Sequence, residues 1–402
     1  MRIEALSGWT PAQRHVVLAS YLGWTLDAFD FFLLVFMFKA IRAEFAAPEG
    51  VTELAATLTL GARPIGALLF GRAADRWGRR PTLMVNVVLY SLLDFVSGFS
   101  PNITTLLILR ALFGVAMGGE WGVGASLTME SIPPKARGLV SGLLQSGYPS
   151  GYLLASIVFY LLYDHIGWRG MFFVGAAPAL LVLYIRRNVP ESPGWEHRTE
   201  KRGAILEILQ KHWKLALYAV LLMTAFNFFS HGTQDGFPSH FLTDQLGLGT
   251  AEVGRTMIIF NIGAICGGLS FGAVSERLGR RWTIITAALL SILAVYFVTN
   301  TTDIVTITIG AFLQQFMVQG AWGIIPVHLN ELSPDGVRGT FPGFVYQLGN
   351  FIASWNLNLQ VIIAGAFTGH FSTAILIVGG TSAATIALLT FLGPERKGAV
   401  LA

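Results

Sequence analysis

A cluster of polar side chains interrupts one apolar run of the sequence, in the stretch NFFSHGTQDGF from Asn227 to Phe237. Asn227, His231 and Asp235 recur every four residues, so in a helix they lie along one face, with Gln234 beside them. Histidine titrates near neutral pH, a carboxylate can orient it or pass on its proton, and amides can hydrogen-bond a carboxylate or hydroxyl group. Because such a face is costly against lipid, we expect it to point into a helix bundle and to form a pathway for a substrate or a proton.

Ionisable residues in other apolar runs suggest an anion site with a proton carrier. Arg63, in LGARPIGA, keeps its charge and can hold a carboxylate through two parallel hydrogen bonds; the alternative is a structural ion pair with Asp27 or Asp30. Asp27 and Asp30 share a helix face and repel each other when both are charged, so each is a candidate proton carrier. Each could instead neutralise Arg63 or Arg110.

Three further ionisable residues lie in apolar runs, where a charge is costly unless it has a partner or a function. Glu120 stands between glycines in GGEWGVG, where helices can approach closely, and it is a candidate for proton coupling or for an interhelical hydrogen bond. Arg110 and Asp94 are expected towards the outer side of the membrane. We predict a structural role for both, with Asp94 near the rim and Arg110 packed against the helix that carries Asp27 and Asp30.

The composition places these residues in a membrane protein. The 402 residues are 53% hydrophobic and 12% charged, about half the charge of a typical soluble domain, and the mean hydropathy is +0.60. One cysteine, Cys266, excludes a disulfide framework and a cysteine metal site. The net charge of +4 comes from basic loops, which is typical of a membrane surface rather than of a nucleic-acid partner. Without a metalloprotease, nucleophile-elbow or phosphate-loop motif, we expect no enzyme, cofactor or metal.

Twelve apolar runs reach the length of about 20 residues that a membrane helix needs. The first begins near Val16 and is too long for a signal peptide. We predict one six-helix bundle in 1–187, a cytoplasmic linker in 188–212, which contains NVPESPGWEHRTEKRG, and a second bundle in 213–402. Most lysines and arginines lie on one side of this map, which predicts that both termini are cytoplasmic in a multi-pass protein of the cell membrane. The predicted spans are near 16–41, 51–74, 81–99, 103–128, 138–163, 169–187, 213–236, 250–275, 282–300, 303–330, 338–366 and 370–392.

The two halves repeat each other. FGRAADRWGRR, from Phe70, aligns with FGAVSERLGRR, from Phe271, and this offset of 201 residues also pairs Trp121 with Trp322 and Glu130 with Glu331. Parallel six-helix repeats are a transporter architecture with the substrate site between the halves. A channel is less compatible with two halves that move against each other, and Arg63 disfavours a drug exporter.

The sequence resembles the major facilitator superfamily. The resemblance is carried by the motif Gly71-x-x-x-Asp75-Arg76-x-Gly78-Arg79-Arg80, by Arg110-x-x-x-Gly114-x-x-x-Gly118, and by PESP at 190–193. It implies an all-α fold of twelve transmembrane helices in two six-helix bundles. Acids beside basic loop residues are then expected to hold the helices in one state of the transport cycle. These gating candidates are Asp75, Arg79, Arg110, Glu130, Arg137, Glu276, Glu331 and Arg338.

The polar stretch that begins at Asn227 is similar to a narrower signature, N-x-x-S/T-H-x-S/T-Q-D-x-x-x-T, of the lactate/pyruvate permease branch of the sialate:proton symporter family. It departs only at Ser239, which keeps the hydroxyl group. The resemblance implies proton-coupled uptake of short monocarboxylates; a sialic acid carrier, another organic-anion symporter and a facilitator without protons remain alternatives. The implied substrate residues are Arg63, Asn227, His231, Gln234 and Asp235, with Gln347 as a further candidate for substrate contact or for an interhelical hydrogen bond. The proton-coupling candidates are Asp27, Asp30, Glu120, His231 and Asp235.

Overall fold

The computed structural model describes residues 8–48, 51–196, 211–367 and 369–401. Most of the predicted linker, residues 197–210, lies outside this part of the chain. Within it, the ordered elements are helices: α1 (Pro11–Glu44), α2 (Val51–Trp77), α3 (Arg79–Ser97), α4 (Ile103–Met117), α5 (Glu120–Ser131), α6 (Arg137–Gln145), α7 (Gly147–Gly175), α8 (Ala179–Asn188), α9 (Pro193–Glu196), α10 (Trp213–Gln234), α11 (Thr250–Leu278), α12 (Arg280–Thr299), α13 (Ile304–Trp322), α14 (Ile325–Leu332), α15 (Phe341–Ala353), α16 (Asn356–Ala366) and α17 (Phe371–Leu392).

Apart from the short α9, these helices make up the twelve predicted spans. There are more helices than spans because several spans consist of two consecutive helices. The broken spans are α4–α5, α6–α7, α7–α8, α13–α14 and α15–α16. Helix α7 supplies parts of two of them and has non-helical backbone at Gly167 between these parts. Among the described residues, eight helical stretches are long and apolar enough to cross a membrane, and one of them, Pro134–Asn188, contains two of the twelve spans. The spans outside these stretches, α1, α3 and α15–α16, carry buried charged or amide side chains.

Local sequence signals explain where the helices begin and end. Thr10 accepts a hydrogen bond from the backbone N–H of Gln13, whose side chain accepts one from the backbone N–H of Thr10, so α1 begins with a capping box. Gly78 and Gly279 separate α2 from α3 and α11 from α12, with φ of 114° and 91°. Only glycine adopts this backbone region without strain, which explains why the repeated motif keeps a glycine there.

The two bundles repeat the same packing. In the first bundle α2 packs on α4, and in the second α11 packs on α13, the equivalent pair at the 201-residue offset. Across the interface, α6 packs on α11, and α15 packs on α2 and α5. Backbones meet closely there: a Cβ added to Gly122 would lie 2.6 Å from the Cα of Gly343. Glycines therefore allow the backbones of the two bundles to touch at this point.

Both ends of the described chain lie on one face of the molecule, here called the terminal face. Gln13 donates to the carbonyl of Ser131 at 3.0 Å, and the N–H of Gly398 donates to Oε1 of Glu331 at 3.1 Å. The other end of α1 lies on the opposite face, where Glu44 pairs with Arg169 at 2.6 Å. These two faces define the direction along which the central cavity is described below.

Candidate functional site

A cavity of about 500 Å³ lies between the two bundles. Along α1 its wall runs from Trp24 to Phe36, about 18 Å at 1.5 Å per residue, towards the opposite face. It brings together Arg63 from the first bundle and the polar residues of α10 from the second. The charged and polar lining is Arg63, Gln145, Asn227, Ser230, His231, Gln234, Asp235, Asn261, Gln315, Gln319 and Asn350, and the aromatic lining is Trp24, Phe31, Phe32, Phe36, Tyr148, Tyr152, Phe260, Trp322 and Tyr346.

Arg63 faces the cavity with a buried guanidinium. Its Nη2 lies 3.8 Å from Oδ2 of Asp27 and 2.8 Å from the sulfur of Met117, and its Cζ lies 5.6 Å from the ring centroid of Phe31. The ion-pair distance to Asp27 is long, and a sulfur is a weak acceptor. The guanidinium therefore keeps donor capacity for an anion in the cavity, beside a carboxylate that competes for it.

His231 is held between two oxygen atoms of the second bundle. Its Nδ1 lies 3.0 Å from Oδ2 of Asp235, and its Nε2 lies 3.0 Å from Oδ1 of Asn350 on α15. A protonated imidazolium donates to both oxygens, whereas a neutral ring that keeps its proton on Nδ1 for Asp235 accepts at Nε2 and pairs with Asn350 only when that amide presents its NH₂ group instead. The proton on His231 is thus linked to the orientation of a cavity amide.

Buried amides stabilise the end of α10 that carries this cluster. The last carbonyls of a helix lack intrahelical partners, and here Gln360 donates to the carbonyl of Gly232 at 2.7 Å while Gln314 donates to that of Thr233 at 2.8 Å. A π-helix, Phe237–Gln245, follows with Pro238 in its first turn. Side chains from α13 and α16 therefore position the polar residues of α10.

The cavity also contains amides that the sequence pattern does not indicate. Gln315 accepts a hydrogen bond from Gln234 at 3.1 Å, and Asn261, Gln319 and Asn350 line the same wall. The available signal was an amide in an apolar span, as in the QQ pair of α13. Whether such an amide faces the cavity or caps a helix depends on the rotation of its helix, which the sequence pattern left open.

An aromatic cluster closes the cavity towards the terminal face. The rings of Trp24, Trp121 and Tyr148 come from the first bundle, and those of Trp322 and Tyr346 come from the second. Trp121 and Tyr346 are 4.5 Å apart between ring centroids, and Trp322 and Tyr346 are 5.6 Å apart. Aromatic contacts at these distances add attraction beyond that of burying apolar surface. They therefore hold the two bundles together between the cavity and the terminal face.

Four predicted site residues lie behind the cavity wall. Asp27, Asp30, Glu120 and Gln347 are buried but do not line the cavity. Within the described residues, the side-chain oxygens of Asp30, Glu120 and Gln347 have no hydrogen-bond partner. The interhelical hydrogen bonds considered for Glu120 and Gln347 are therefore not formed through these oxygens.

Arg110 interacts electrostatically with Asp30 of α1, but its hydrogen bonds are made elsewhere. Its Nη2 donates to Oδ1 of Asp94 and to Oγ of Ser97, both at 2.8 Å, so its hydrogen bonds go to α3 rather than to the acids of α1. Its Cζ lies 4.1 Å from the ring centroid of Phe113. Asp94, expected at the rim, is 1% exposed, because the ion pair with Arg110 allows it to be buried between helices.

Matching ion-pair sets occur at the terminal face of each bundle. Arg79 pairs with Oδ1 of Asp75 at 2.8 Å and with Oε1 of Glu130 at 3.0 Å. Arg280, which was not among the predicted gating residues, holds the equivalent position. The second set is Arg280 with Glu276 at 3.0 Å and with Glu331 at 3.0 Å.

The same acids also cross between the bundles. Asp75 accepts hydrogen bonds from the N–H of Gly339 at 2.8 Å and from Oγ1 of Thr340 at 2.5 Å. Glu276 accepts one from the N–H of Gly138 in the other direction. Each acid binds backbone at the beginning of a helix of the other bundle, where negative charge is favourable. The terminal face is therefore closed.

The remaining predicted gating arginines bind the C-terminal segment. Arg137 donates to the carbonyls of Met129 at 2.9 Å and of Ala399 at 2.7 Å, and Arg338 donates to that of Leu401 at 2.9 Å. The segment therefore bridges an arginine of each bundle.

Two acids outside the spans have shifted pKa values. Glu191 accepts hydrogen bonds from the N–H groups of Arg79 and Arg80, but its burial is the larger effect and raises the pKa of its carboxyl above the usual range. On the opposite face, the indole N–H of Trp168 donates to Glu44 at 2.5 Å and lowers the pKa of that carboxyl.

The sequence matches family models and known proteins along most of its length. A model of the Major Facilitator Superfamily matches residues 21–235, and one described as sugar (and other) transporter matches residues 204–395. The chain is 31% identical to a probable 4-methylmuconolactone transporter of Cupriavidus pinatubonensis, covering 91% of this chain and 86% of that protein. The chain belongs to the Major Facilitator Superfamily.

Other known proteins resemble nearly the whole chain. It is 27% identical to the sialic acid transporter NanX of Escherichia coli, over 97% of this chain and 96% of that protein. The structure of the proton:xylose symporter XylE matches with a TM-score of 0.79, at 20% identity, over 97% of this chain and 98% of that chain; this likeness shows the fold. The protein is thus a multi-pass membrane protein and a secondary transporter of organic acids or sugars, and not an enzyme.

Proposed function

We propose that this protein is a proton-coupled symporter of short monocarboxylates such as lactate and pyruvate. The observation that carries the proposal is the pairing of one arginine, Arg63, with the His231–Asp235 pair across a single cavity between the bundles. An arginine recognises a carboxylate, and a histidine–carboxylate pair can accept and pass a proton. Both chemistries therefore meet in the space that a substrate would occupy.

Competition at Arg63 offers a way to couple the two ligands. When a substrate carboxylate binds Arg63, the Asp27 carboxylate at 3.8 Å loses part of its counter-charge. A buried carboxylate without a partner is unfavourable unless it takes up a proton. Substrate binding and proton binding then favour each other, which is the linkage that symport requires.

His231 supplies the second proton site of the proposed cycle. When His231 is protonated, it donates to Asp235 and Asn350 and keeps both acceptors satisfied. When it releases the proton from Nε2 and keeps Nδ1–H on Asp235, the Asn350 amide must turn, which changes the hydrogen-bonding groups that face the substrate. The state of the proton is thereby passed to the binding site.

We further propose that the terminal face is cytoplasmic, as the distribution of lysine and arginine predicts. The closed face, with Asp75 on Gly339 and Thr340, then corresponds to a state in which the substrate enters from outside the cell. Cysteine-accessibility labelling of Lys397→Cys in intact cells tests this orientation. Labelling from outside without permeabilisation would reverse it.

A second candidate function is proton-coupled transport of a larger acid such as a sialic acid. The cavity volume favours it, since about 500 Å³ falls in the range that proteins use for drug-sized ligands, and a three-carbon acid would fill only part of it. The amides of the second bundle could bind further hydroxyl or carbonyl groups.

Transport into proteoliposomes separates these possibilities. Uptake of radiolabelled L-lactate is measured with acid outside, with and without a protonophore, and sialic acid is measured in parallel. Lactate accumulation that collapses with the protonophore supports the proposal. Accumulation of sialic acid alone would replace the substrate, and uptake that ignores the protonophore would replace symport by facilitated diffusion.

A further inference from the structure

A second, much smaller cavity lies between α1 and α5, behind the wall of the large one. Its volume is about 10 Å³, which is the space that one water molecule needs. Ser20 and Trp24 line it from α1, and Glu120, Trp121 and Gly124 line it from α5. It is therefore a site of molecular size where the two helices meet, with Leu144 of α6 completing its lining.

Three polar side chains around this cavity lack partners. Among the described residues, both carboxylate oxygens of Glu120, the hydroxyl of Ser20 and the indole N–H of Trp24 have no hydrogen-bond partner, and the side chains are at most 3% exposed. Buried polar groups are nearly always hydrogen-bonded, to protein or to ordered water. Three exceptions around one cavity indicate a shared ligand.

The geometry at Gly124 shows where that ligand sits. A methyl group added to Gly124 would lie 3.6 Å from Oε1 of Glu120 and 3.7 Å from Oγ of Ser20. Both oxygens thus face one point, which the hydrogen atom of a glycine leaves free. A water molecule near this point can donate to both oxygens, and Trp24, whose unpartnered indole N–H belongs to the same cavity, offers the third hydrogen bond usual for buried water.

Trp24 connects the two cavities, because its indole lines both of them. On the neighbouring helices, Glu120 interacts electrostatically with Asp27 on α1, Arg63 on α2 and Tyr90 on α3. The Trp24 side chain therefore lies between Glu120 and the large cavity. Glu120 also interacts electrostatically with Arg63, the proposed carboxylate-binding arginine.

We propose that the small cavity binds a relay water through which Glu120 exchanges protons with the substrate cavity. The water takes a proton from hydronium in the large cavity and gives one of its own protons to Oε1 of Glu120. One O–H bond forms on the relay water as another breaks, so the water is unchanged, the hydronium becomes water, and the carboxylate becomes neutral. Ser20 and Trp24 are positioning residues that hold this water. The transport role rests on the function proposed above, whereas the hydrated site does not.

Gly124→Ala tests the site, since its methyl group would occupy the cavity at ordinary van der Waals distances and leave Glu120 unchanged. Gly61→Ala on α2, where a Cβ meets no atom within 4 Å, is the matched control for a glycine-to-alanine change in a helix. X-ray radiolytic labelling of the purified protein detects bound water by oxidation of the side chains it contacts. We measure labelling of Trp121, which lines the small cavity but not the large one.

We expect Trp121 oxidation to fall at least fivefold in Gly124→Ala and to stay unchanged in Gly61→Ala. Equal oxidation of Trp121 in the wild type and in Gly124→Ala would overturn the water site, whatever the protein transports. If Gly124→Ala does not reconstitute, Ser20→Ala replaces it, and the same labelling is expected to fall at least twofold.

Transport then tests the relay. In proteoliposomes, Gly124→Ala should reduce uptake driven by a pH gradient at least tenfold while substrate counterflow stays within twofold of Gly61→Ala. Equal loss of both activities, or loss of neither, would remove Glu120 from the proton path. If the wild type itself transports without sensitivity to a protonophore, the proposed symport fails and the relay with it, and the labelling result alone decides whether the water is bound.

Discussion

Replacing Arg63 by glutamine removes the positive charge that is available to an anion in the cavity. A substrate carboxylate about 4 Å from the guanidinium gains about 4 kcal/mol at an effective dielectric constant of about 20. Asp27 already lies 3.8 Å from the same group, so part of this attraction is present before substrate binds. We therefore expect a net loss of about 2–4 kcal/mol, which is about a 30- to 1000-fold weaker affinity.

The same substitution has a second consequence, because Asp27 is 1% exposed and loses its nearest cation. Arg63→Gln should therefore lower the thermal unfolding temperature in detergent, and Arg63→Gln/Asp27→Asn should restore it by removing the unpaired charge. The double variant should not restore affinity, since it still lacks the guanidinium. This difference separates a substrate-binding arginine from a purely structural one.

The assay is the half-saturation concentration of substrate counterflow in proteoliposomes, which requires no proton gradient. L-lactate is the substrate, or sialic acid if only that compound is carried. Arg169→Gln, which removes an arginine on the opposite face, is the matched control and should leave the half-saturation concentration unchanged. A double variant whose half-saturation concentration lies within threefold of wild type would refute the reasoning and assign Arg63 to the fold.

Three other perturbations test separate parts of the molecule. His231→Ala should reduce uptake driven by a pH gradient at least tenfold more than counterflow, and equal loss of both would make His231 a substrate contact only. Asp75→Asn weakens the acceptor for Gly339, so it should open the terminal face and increase cysteine labelling near that interface; unchanged labelling would show that Asp75 does not hold it closed. Glu44 has a lowered pKa because Trp168 donates to it, so its contribution to stability is present above the unfolded-state pKa of about 4.5 and is lost as pH falls through the folded value. Glu44→Gln should remove that acidic component from the pH profile of thermal unfolding, and an identical profile would contradict the assignment.

The closed terminal face and the polar cavity are connected through the same helices. Asp75 and Arg63 both lie on α2, and Asp75 contacts the beginning of α15, which also carries Asn350. A movement that separates Asp75 from Gly339 would therefore shift the two helices that bring the arginine and the His231 network together. This arrangement is consistent with alternating access around a site between two repeats.

The sequence alone determined the spans, the repeat and the residue types of the site. Span length and hydropathy are set by the bilayer, the 201-residue offset is a property of the chain, and a polar face on α10 follows from helical spacing. The same pattern indicates Arg63 and His231, because a charged or titratable side chain in an apolar helix needs a polar neighbour.

The tertiary structure decided which side chains meet. Arg110 pairs with Asp94 rather than with the acids of α1, and Glu120 lies behind Trp24 instead of in the substrate cavity. Asn350 reaches His231 from 119 residues away. Spacing along one helix fixes which residues share a face, but the neighbour of that face depends on how each helix is rotated and packed against the others, and those contacts are made by residues far apart in the chain.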